Sequence, residues 1–145
     1  MTENKSPFTV LGFDYGSKTT GIAVGQSLTG TASELAVIRF GETKKSQQVQ
    51  WEKLKKTVQE WKPKMLVVGW PLNMDGSESD FCRNVKKFAD QLQKQTGCVV
   101  QLMDERLTSR EAKMESKTKT SDYKKNPVDS LAAKLMLESW LRENS

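Results

Sequence analysis

The sequence predicts an α/β fold, in which a mixed β-sheet carries helices on both faces. Three short apolar runs, at 8–13, 20–27 and 33–40, follow one another before any helical pattern begins. Strands joined by such short links pair antiparallel. Two further apolar runs then alternate with amphipathic helical segments, which is typical of parallel strands joined by right-handed crossovers. All of this lies within 145 residues, the length of a single domain.

The first three strands form the predicted antiparallel part of the sheet. FTVLGF (8–13) ends at the turn DYGSKT, where Gly16 supplies backbone freedom. TGIAVGQS (20–27) completes a predicted β-hairpin, and SELAVIRF (33–40) alternates well enough to be a third strand. Residues 1–7 are polar and are predicted to be a loose N-terminus.

The second half of the sheet is predicted to be parallel. Apolar residues recur at near-helical spacing over 46–62, and a proline ends this first amphipathic helix. The continuous apolar run KMLVVGW (64–70) predicts a strand buried on both faces. A second helix is predicted over roughly 79–96, ended by a glycine, and CVVQLM (98–103) is predicted to be another buried strand.

A basic segment and a last helix complete the chain. Residues 106–126 show no clear strand, and positions 106–125 hold seven Lys and Arg against three acids. We predict a partly flexible segment there that contacts phosphate. The closing helix is predicted over about 127–143, because Pro127 suits the first helical position.

Composition narrows the chemistry. The chain has 23 Lys and Arg against 18 Asp and Glu, a net charge of +5, which suits a phosphate-rich partner. It has no histidine, which excludes Ser-His-Asp triads and His-zinc sites. Cys82 and Cys98 form no metal-ligand pattern and fit a reducing compartment. With no signal peptide and no apolar run of about 18 residues, we expect a cytoplasmic protein without membrane contact.

Three carboxylates stand where elements begin or end. Asp14 follows the first strand, Glu105 follows the apolar run 99–103, and Asp129 opens the last helix. Such acids can converge in space, and convergent carboxylates without histidine suggest a site for hard divalent cations. Asp104 and Glu105 point to opposite faces of a strand, and alternation alone does not decide which of them belongs to the site.

The Asp14 segment, the position of Asp129 and the loop GWPLNMDG also have purely structural explanations. The Asp14 segment, DYGSKTTG, is equally an ordinary hairpin turn, although Lys18 and the threonine hydroxyls after it suit phosphate contacts. Asp129 lies at the third helical position, where an acid complements the helix dipole. In GWPLNMDG, Asn73 and Asp75 follow the most buried strand, but the Asp-Gly pair is also a strong turn signal.

Taken together, four motifs resemble those of the YqgF-type family. This family is also described as RuvX or Holliday junction resolvase-like, and as pre-16S ribosomal RNA nucleases. The resemblance lies in LGFDYGSKTTGIAVG, GWPLNMDG, DERLTS and DSLAAKLML, in this order, and it spans about residues 8–141. One departure is visible: the family commonly has Lys-Arg-Ile-Gly where this chain has Lys18-Thr19-Thr20-Gly21.

The resemblance implies a ribonuclease H-like fold and a two-metal nuclease site. By this resemblance Asp14, Glu105 and Asp129 are the catalytic acids that bind two Mg²⁺ or Mn²⁺ ions, and Glu105 is preferred over Asp104. The expected substrate contacts, which combine the motif residues with nearby basic side chains, are Lys18, Asn73, Asp75, Arg106 and Arg110.

The function implied by the family is hydrolysis of phosphodiester bonds during processing of the 5′ end of precursor 16S ribosomal RNA. RNA is the favoured partner, and the protein is expected to be a monomer or a weak homodimer. One alternative is a Holliday junction resolvase that acts on branched DNA. Another is a non-catalytic nucleic-acid-binding module. A sugar-kinase or actin-like ATPase would need two domains around a nucleotide, for which 145 residues are too few.

Overall fold

The computed structural model describes residues 6–104 and 128–144, with the side chains of Val128 and Asp129 outside that description. These residues build a three-layer α/β/α arrangement. The strands are β1 (Thr9–Tyr15), β2 (Thr20–Gln26), β3 (Thr31–Ile38), β4 (Met65–Trp70) and β5 (Val100–Asp104). The helices are α1 (Lys44–Trp61), α2 (Cys82–Thr96) and α3 (Val128–Asn144).

The strand order confirms the predicted mixed sheet. The five strands lie side by side as β3-β2-β1-β4-β5. β2 pairs antiparallel with both β1 and β3, whereas β4 pairs parallel with both β1 and β5. The predicted interior position of the KMLVVGW run is confirmed, because Leu66, Val67 and Val68 of β4 are all fully buried.

The two faces of the sheet carry different helices. Leu11 and Phe13 of β1 pack in one core with α1 and α2, while Val10 packs in a second core with α3. Successive residues of a strand point to opposite faces, so this alternation assigns every β1 side chain to one layer or the other. The prediction of helices on both faces is therefore confirmed.

Local sequence explains where α1 begins and where α2 ends. The Thr43 hydroxyl caps α1 by accepting a hydrogen bond of 3.1 Å from the Ser46 backbone N–H. Gly97 ends α2 in the left-handed conformation, with φ of 73°, and its N–H donates to the Gln93 carbonyl. The apolar side of α2 is buried on the sheet through Val85, Phe88, Ala89 and Leu92.

Helix α3 lies against the sheet at positions that have no side chain. A Cβ atom on Gly25 would come within 2.9 Å of Leu141 Cδ1 and 3.0 Å of Leu137 Cδ2. A Cβ atom on Gly12 would come within 3.3 Å of the Leu137 Cβ. Ala133 of the helix is fully buried as well, so small residues on both sides of the contact allow this close approach.

One prediction about burial was wrong. β5 is the outermost strand on its side of the described sheet, and Gln101 and Asp104 are exposed. Val99, just before the strand, is 60% exposed. An apolar run does not distinguish an edge strand from an interior one, because the number of neighbouring strands depends on topology.

Other parts of the chain lie outside the description. They include residues 1–5 of the predicted loose N-terminus and the whole of the basic segment 106–126. Within the described ranges, no helix combines the length and the apolar character needed to cross a membrane.

Candidate active site at the carboxyl edge of the sheet

The parallel strands β1, β4 and β5 end at a common edge, which we call the carboxyl edge. β4 and β5 finish level with each other, with Trp70 paired to Asp104. β1 runs parallel to β4 and is in register with it up to the pair of Phe13 with Val68. Ligands of open α/β sheets bind at this edge, so a functional site is expected here.

Asp14 lies on the face of the sheet that α3 covers. Its neighbours Phe13 and Tyr15 pack on the α1–α2 side, so the Asp14 side chain points to the opposite face. It is half-buried. Directly across from it on β2 is Gly21, and on β4 Gly69 follows the partner of Phe13. The strands on either side therefore present backbone next to this carboxylate, which leaves room for a group to approach it.

The structure separates Asp104 from Asp14. Leu102 packs in the core with α1 and α2, while Met103 packs in the core with α3. Asp104 follows Met103 and so belongs to the α1–α2 face, opposite to Asp14. Glu105 is the next residue of the chain and lies outside the described residues. The geometry thus argues against Asp104, and the placement of Glu105 itself stays a prediction.

Asp129 is the second residue of α3, so its backbone lies in the first turn of the helix. The next residue, Ser130, is buried, and its hydroxyl donates a 2.5 Å hydrogen bond to Glu34 Oε1 of β3. Eight residues later, Glu138 Oε2 accepts from the Ala32 backbone N–H at 3.3 Å. The helix therefore runs antiparallel to β3, which is itself parallel to β1. Asp129 consequently lies toward the carboxyl edge, on the same face as Asp14.

The loop after β4 also lies at the carboxyl edge. The Asp75 carboxylate accepts hydrogen bonds from the backbone N–H and the hydroxyl of Ser77, at 2.9 and 2.6 Å. The Asn73 amide donates to Ser77 Oγ at 3.0 Å. Both side chains thus hold the turn that the Asp-Gly pair predicted. Both are exposed as well, and their role in substrate binding remains a prediction.

The turn between β1 and β2 presents Lys18 to solvent beside the edge. A hydrogen bond from the Gly16 N–H to the Thr19 carbonyl closes this turn. Thr20 is fully buried, and Thr20 Oγ1 has no hydrogen-bond partner among the described residues. Thr20 pairs with Tyr15, so it faces α1 and α2 rather than Asp14. The idea that the Thr20 hydroxyl contacts phosphate was therefore wrong.

Replacing Thr20 with valine should raise the free energy of unfolding by about 1 kcal/mol, because the change removes a buried hydroxyl without altering the shape of the side chain. Cleavage activity should not change. Urea denaturation and a cleavage assay on the same preparation measure both quantities. A loss of activity in a stable Thr20→Val protein would mean that the hydroxyl does reach the substrate.

Within the described part of the chain, no three Asp, Glu, Cys or His side chains form a group that could hold a metal ion. Two of the three predicted acids, Glu105 and Asp129, have side chains outside that part. What is described agrees with a divalent cation: Asp14 offers hard oxygen ligands and is bordered by glycines. The carboxylate of Asp14 therefore fits the predicted ions in ligand chemistry.

The fold defined by this sheet and its helices is that of RuvC, a ribonuclease H-like fold. The structure of RuvC from Thermus thermophilus in complex with a Holliday junction substrate matches with a TM-score of 0.60 and 13% identity. The match covers 94% of both chains. A second structure of Thermus thermophilus RuvC also matches with a TM-score of 0.60. The predicted fold class is confirmed.

The particular family follows from the sequence. The model of the RuvX family, described as Holliday junction resolvase, matches residues 8–143, and the chain belongs to this family. A relative from Pseudomonas fluorescens named "Putative pre-16S rRNA nuclease" is 44% identical over 94% of this chain and 93% of its own length. A relative from Saccharophagus degradans with the same name is 43% identical over 94% of each chain. The predicted family resemblance is confirmed.

Proposed function

We propose that this protein is a metal-dependent nuclease that hydrolyses phosphodiester bonds, and that its substrate is the 5′ end of precursor 16S ribosomal RNA. The observation that carries the proposal is the position of Asp14. This carboxylate lies at the carboxyl edge between two glycine positions, on the face where α3 brings its first turn. The names of the relatives support a ribosomal RNA substrate.

The proposed catalytic residues are Asp14, Glu105 and Asp129, which would hold two Mg²⁺ or Mn²⁺ ions. Such ions supply a water of lowered pKa and stabilise charge on the leaving 3′ oxygen. Asp14 contributes a ligand whose position is fixed by pairing within β1 and β2. Gly21 and Gly69 occupy the positions beside Asp14 on the two neighbouring strands, and neither has a side chain that would hinder the approach of a phosphate.

The residues around the site would bind and orient the substrate. We assign phosphate contacts to Lys18, Arg106 and Arg110. The loop that carries Asn73 and Asp75 is held in shape by its own hydrogen bonds, which reduces the entropy lost when substrate binds there. Histidine has no part in this scheme, in agreement with a chain that contains none.

A cleavage panel tests the proposal. Purified protein is incubated with precursor 16S ribosomal RNA, a single-stranded RNA and a four-way DNA junction, with Mg²⁺, with Mn²⁺ and with a chelator. Metal-dependent trimming of the precursor at its 5′ end is the expected result. Preferred, symmetric cutting of the junction would establish the second candidate, which the RuvX description and the RuvC fold favour. Binding without cleavage of any substrate would establish a non-catalytic module.

Lys18 gives a test of the phosphate contacts. Replacing this exposed lysine with alanine should reduce the slope of log affinity against log salt by about 1, as expected when one phosphate contact is lost. Lys94, in the last turn of α2, is the control, because that helix ends at the opposite edge of the sheet. Fluorescence anisotropy with single-stranded RNA at several salt concentrations measures the slope. Equal slopes for the two variants would contradict the assignment.

We further propose that the protein acts in the cytoplasm as a monomer or weak homodimer. One chain carries all three acids, so a single cut needs no second copy. Symmetric cutting of two strands at a junction would require a dimer. Analytical ultracentrifugation, with and without each nucleic acid of the panel, separates the two cases.

A further inference from the structure

A cavity lies on the face of the sheet opposite to Asp14. It is a cleft between α1 and α2 with a volume of about 460 Å³, and we call it the α1–α2 cleft. Its walls include the aromatic side chains of Tyr15, Phe40, Trp51 and Phe88. This volume falls within the range of about 300–1,000 Å³ that is usual for small-molecule sites.

The aromatic walls form a packed, rigid surface. Tyr15 stacks on Phe88 with ring centroids 4.5 Å apart and planes 20° apart. Trp51 lies 5.6 Å from the same Phe88 ring and 5.3 Å from Phe40. Phe88 is buried, whereas Tyr15, Phe40 and Trp51 are each partly exposed. Rings held in place in this way offer a stacking surface at little entropic cost.

Polar groups line the same cleft. Asn84 and Gln91 of α2 and Gln47 of α1 bring side-chain amides to it, and Lys87 brings a positive charge. Asn84, Lys87 and Gln47 are exposed. Amides carry both donors and acceptors, which is the chemistry that reads the edge of a nucleobase. The Gln47 amide already donates to the Gly41 carbonyl at 3.1 Å, so Asn84 and Gln91 are the amides available to an occupant.

The cleft is connected to the carboxyl edge. A neighbouring groove of about 740 Å³ is lined by Trp70 and Leu102, at the ends of β4 and β5, and by Arg83 and Lys86 of α2. Lys87 borders both this groove and the cleft. Glu78 and Asp80 also line this groove, and Lys86 is paired with Asp90 at 2.9 Å. Arg83 and Lys87, which form no ion pair among the described residues, are therefore the cations of α2 that lie between the carboxyl edge and the aromatic walls.

We propose that the α1–α2 cleft binds an unpaired nucleobase of a single-stranded nucleic acid whose backbone follows the cations of α2 to the carboxyl edge. This inference rests on the proposed nuclease function, since the strand that places a base in the cleft would be the one cleaved at the carboxyl edge. Aromatic stacking combined with a positively charged track is the general means by which proteins hold single strands. Tyr15 directly follows Asp14, so cleft and acid are fixed by the same strand.

The test compares two RNAs. One is a single-stranded RNA of ten nucleotides, and in the other the three central nucleotides are replaced by abasic analogues. Binding is measured by fluorescence anisotropy with Ca²⁺ in place of Mg²⁺, so that cleavage does not interfere. The wild-type protein should bind the complete RNA about tenfold more tightly, the effect expected from stacking of one base. Equal affinities for the two RNAs would overturn the proposal. A cleft that binds a peptide instead of a base would give this result.

Matched variants locate the effect. Trp51→Leu should abolish the preference for the complete RNA, whereas Trp61→Leu should keep it, because Trp61 is at the far end of the same helix and outside the cleft. Asn84→Ala should reduce the preference, and Gln93→Ala on the same helix should not. The Asn84 pair keeps the test decisive if Trp51→Leu does not fold. A preference that survives both Trp51→Leu and Asn84→Ala in folded proteins would overturn the assignment.

A separate measurement distinguishes the cleft from the catalytic proposal. Asp14→Asn should lose cleavage but retain the preference for the complete RNA. If the wild-type protein cleaves no substrate while the base preference is present, the nuclease proposal fails and the cleft stands. If Asp14→Asn cleaves normally, only the catalytic role of Asp14 fails. If cleavage depends on Asp14 but the wild-type protein shows no base preference, the cleft fails and the nuclease assignment stands.

Discussion

Replacing Asp14 with asparagine is expected to lower metal-dependent cleavage by about 100- to 1,000-fold or more, the range observed when one group that stabilises developing charge is removed. An amide has nearly the size of a carboxylate but no negative charge to offset a cation. Since Asp14 is flanked by Gly21 and lies in a strand paired on both sides, the substitution should leave the fold intact. The measurement is the rate of precursor cleavage under single-turnover conditions.

The thermal midpoint gives a second measurement that does not depend on activity. Mg²⁺ or Mn²⁺ that binds only the folded protein raises the midpoint as its concentration rises. This increase should be largely absent in Asp14→Asn. If the three acids converge as proposed, neutralising one of them also relieves repulsion, so without metal the variant should be at least as stable as the wild type.

Glu60→Gln is the matched control for Asp14→Asn. Glu60 is exposed near the end of α1, at the edge of the sheet opposite to Asp14. The substitution removes one surface carboxylate far from the proposed site, so it should change neither cleavage nor the effect of metal. Full turnover by a pure, folded Asp14→Asn protein would rule out the catalytic assignment.

The second large effect concerns the docking of α3, the helix that carries Asp129. Leu137 is fully buried and packs over Gly12 and Gly25. Leu137→Ala should therefore lower the free energy of unfolding by about 2–5 kcal/mol. Gly25→Ala should lower it by about 1–3 kcal/mol for the opposite reason, because the new methyl group overfills the contact.

The double variant tests whether these two positions share one contact. Two of the three atoms that crowd the methyl group of Gly25→Ala belong to Leu137 and the third to Leu141. Leu137→Ala therefore relieves most of the crowding, so the combined loss should be smaller than the sum of the single losses. Urea denaturation of the four proteins gives the coupling energy. Strict additivity would show that Gly25 and Leu137 do not pack together as the structure has them.

The sequence predicted most elements of the sheet and both of its faces. Apolar periodicity located all five strands to within about three residues, and the alternation of strands with helices predicted the parallel half. Burial was predicted less well, because the apolar run of β5 proved to belong to an edge strand. The motif at Asp14 was equally compatible with an ordinary turn, and its neighbours in the sequence did not decide between the two.

Residues that sequence reasoning missed are those whose importance comes from a neighbouring strand or helix. Gly12 and Gly25 give α3 its close contact, yet they stand in their strands among ordinary apolar residues. Glu34 fixes the first turn of α3 through Ser130, a contact between residues 96 positions apart. The one available signal was glycine within a strand, which often marks a close approach of another backbone.

The sequence by itself determined the types of group at the site and the family. It supplied carboxylates at the ends of elements, an excess of cations and no histidine, and these limit the chemistry whatever the fold. Only the tertiary structure decided which groups share a face. Register and strand order place the Asp14 side chain on the α3 side of the sheet. They direct Thr20 and Asp104 toward α1 and α2, on the face where Tyr15 lines the α1–α2 cleft. The reason is physical: a one-residue step along a strand reverses the side chain, so facing depends on pairing with distant strands.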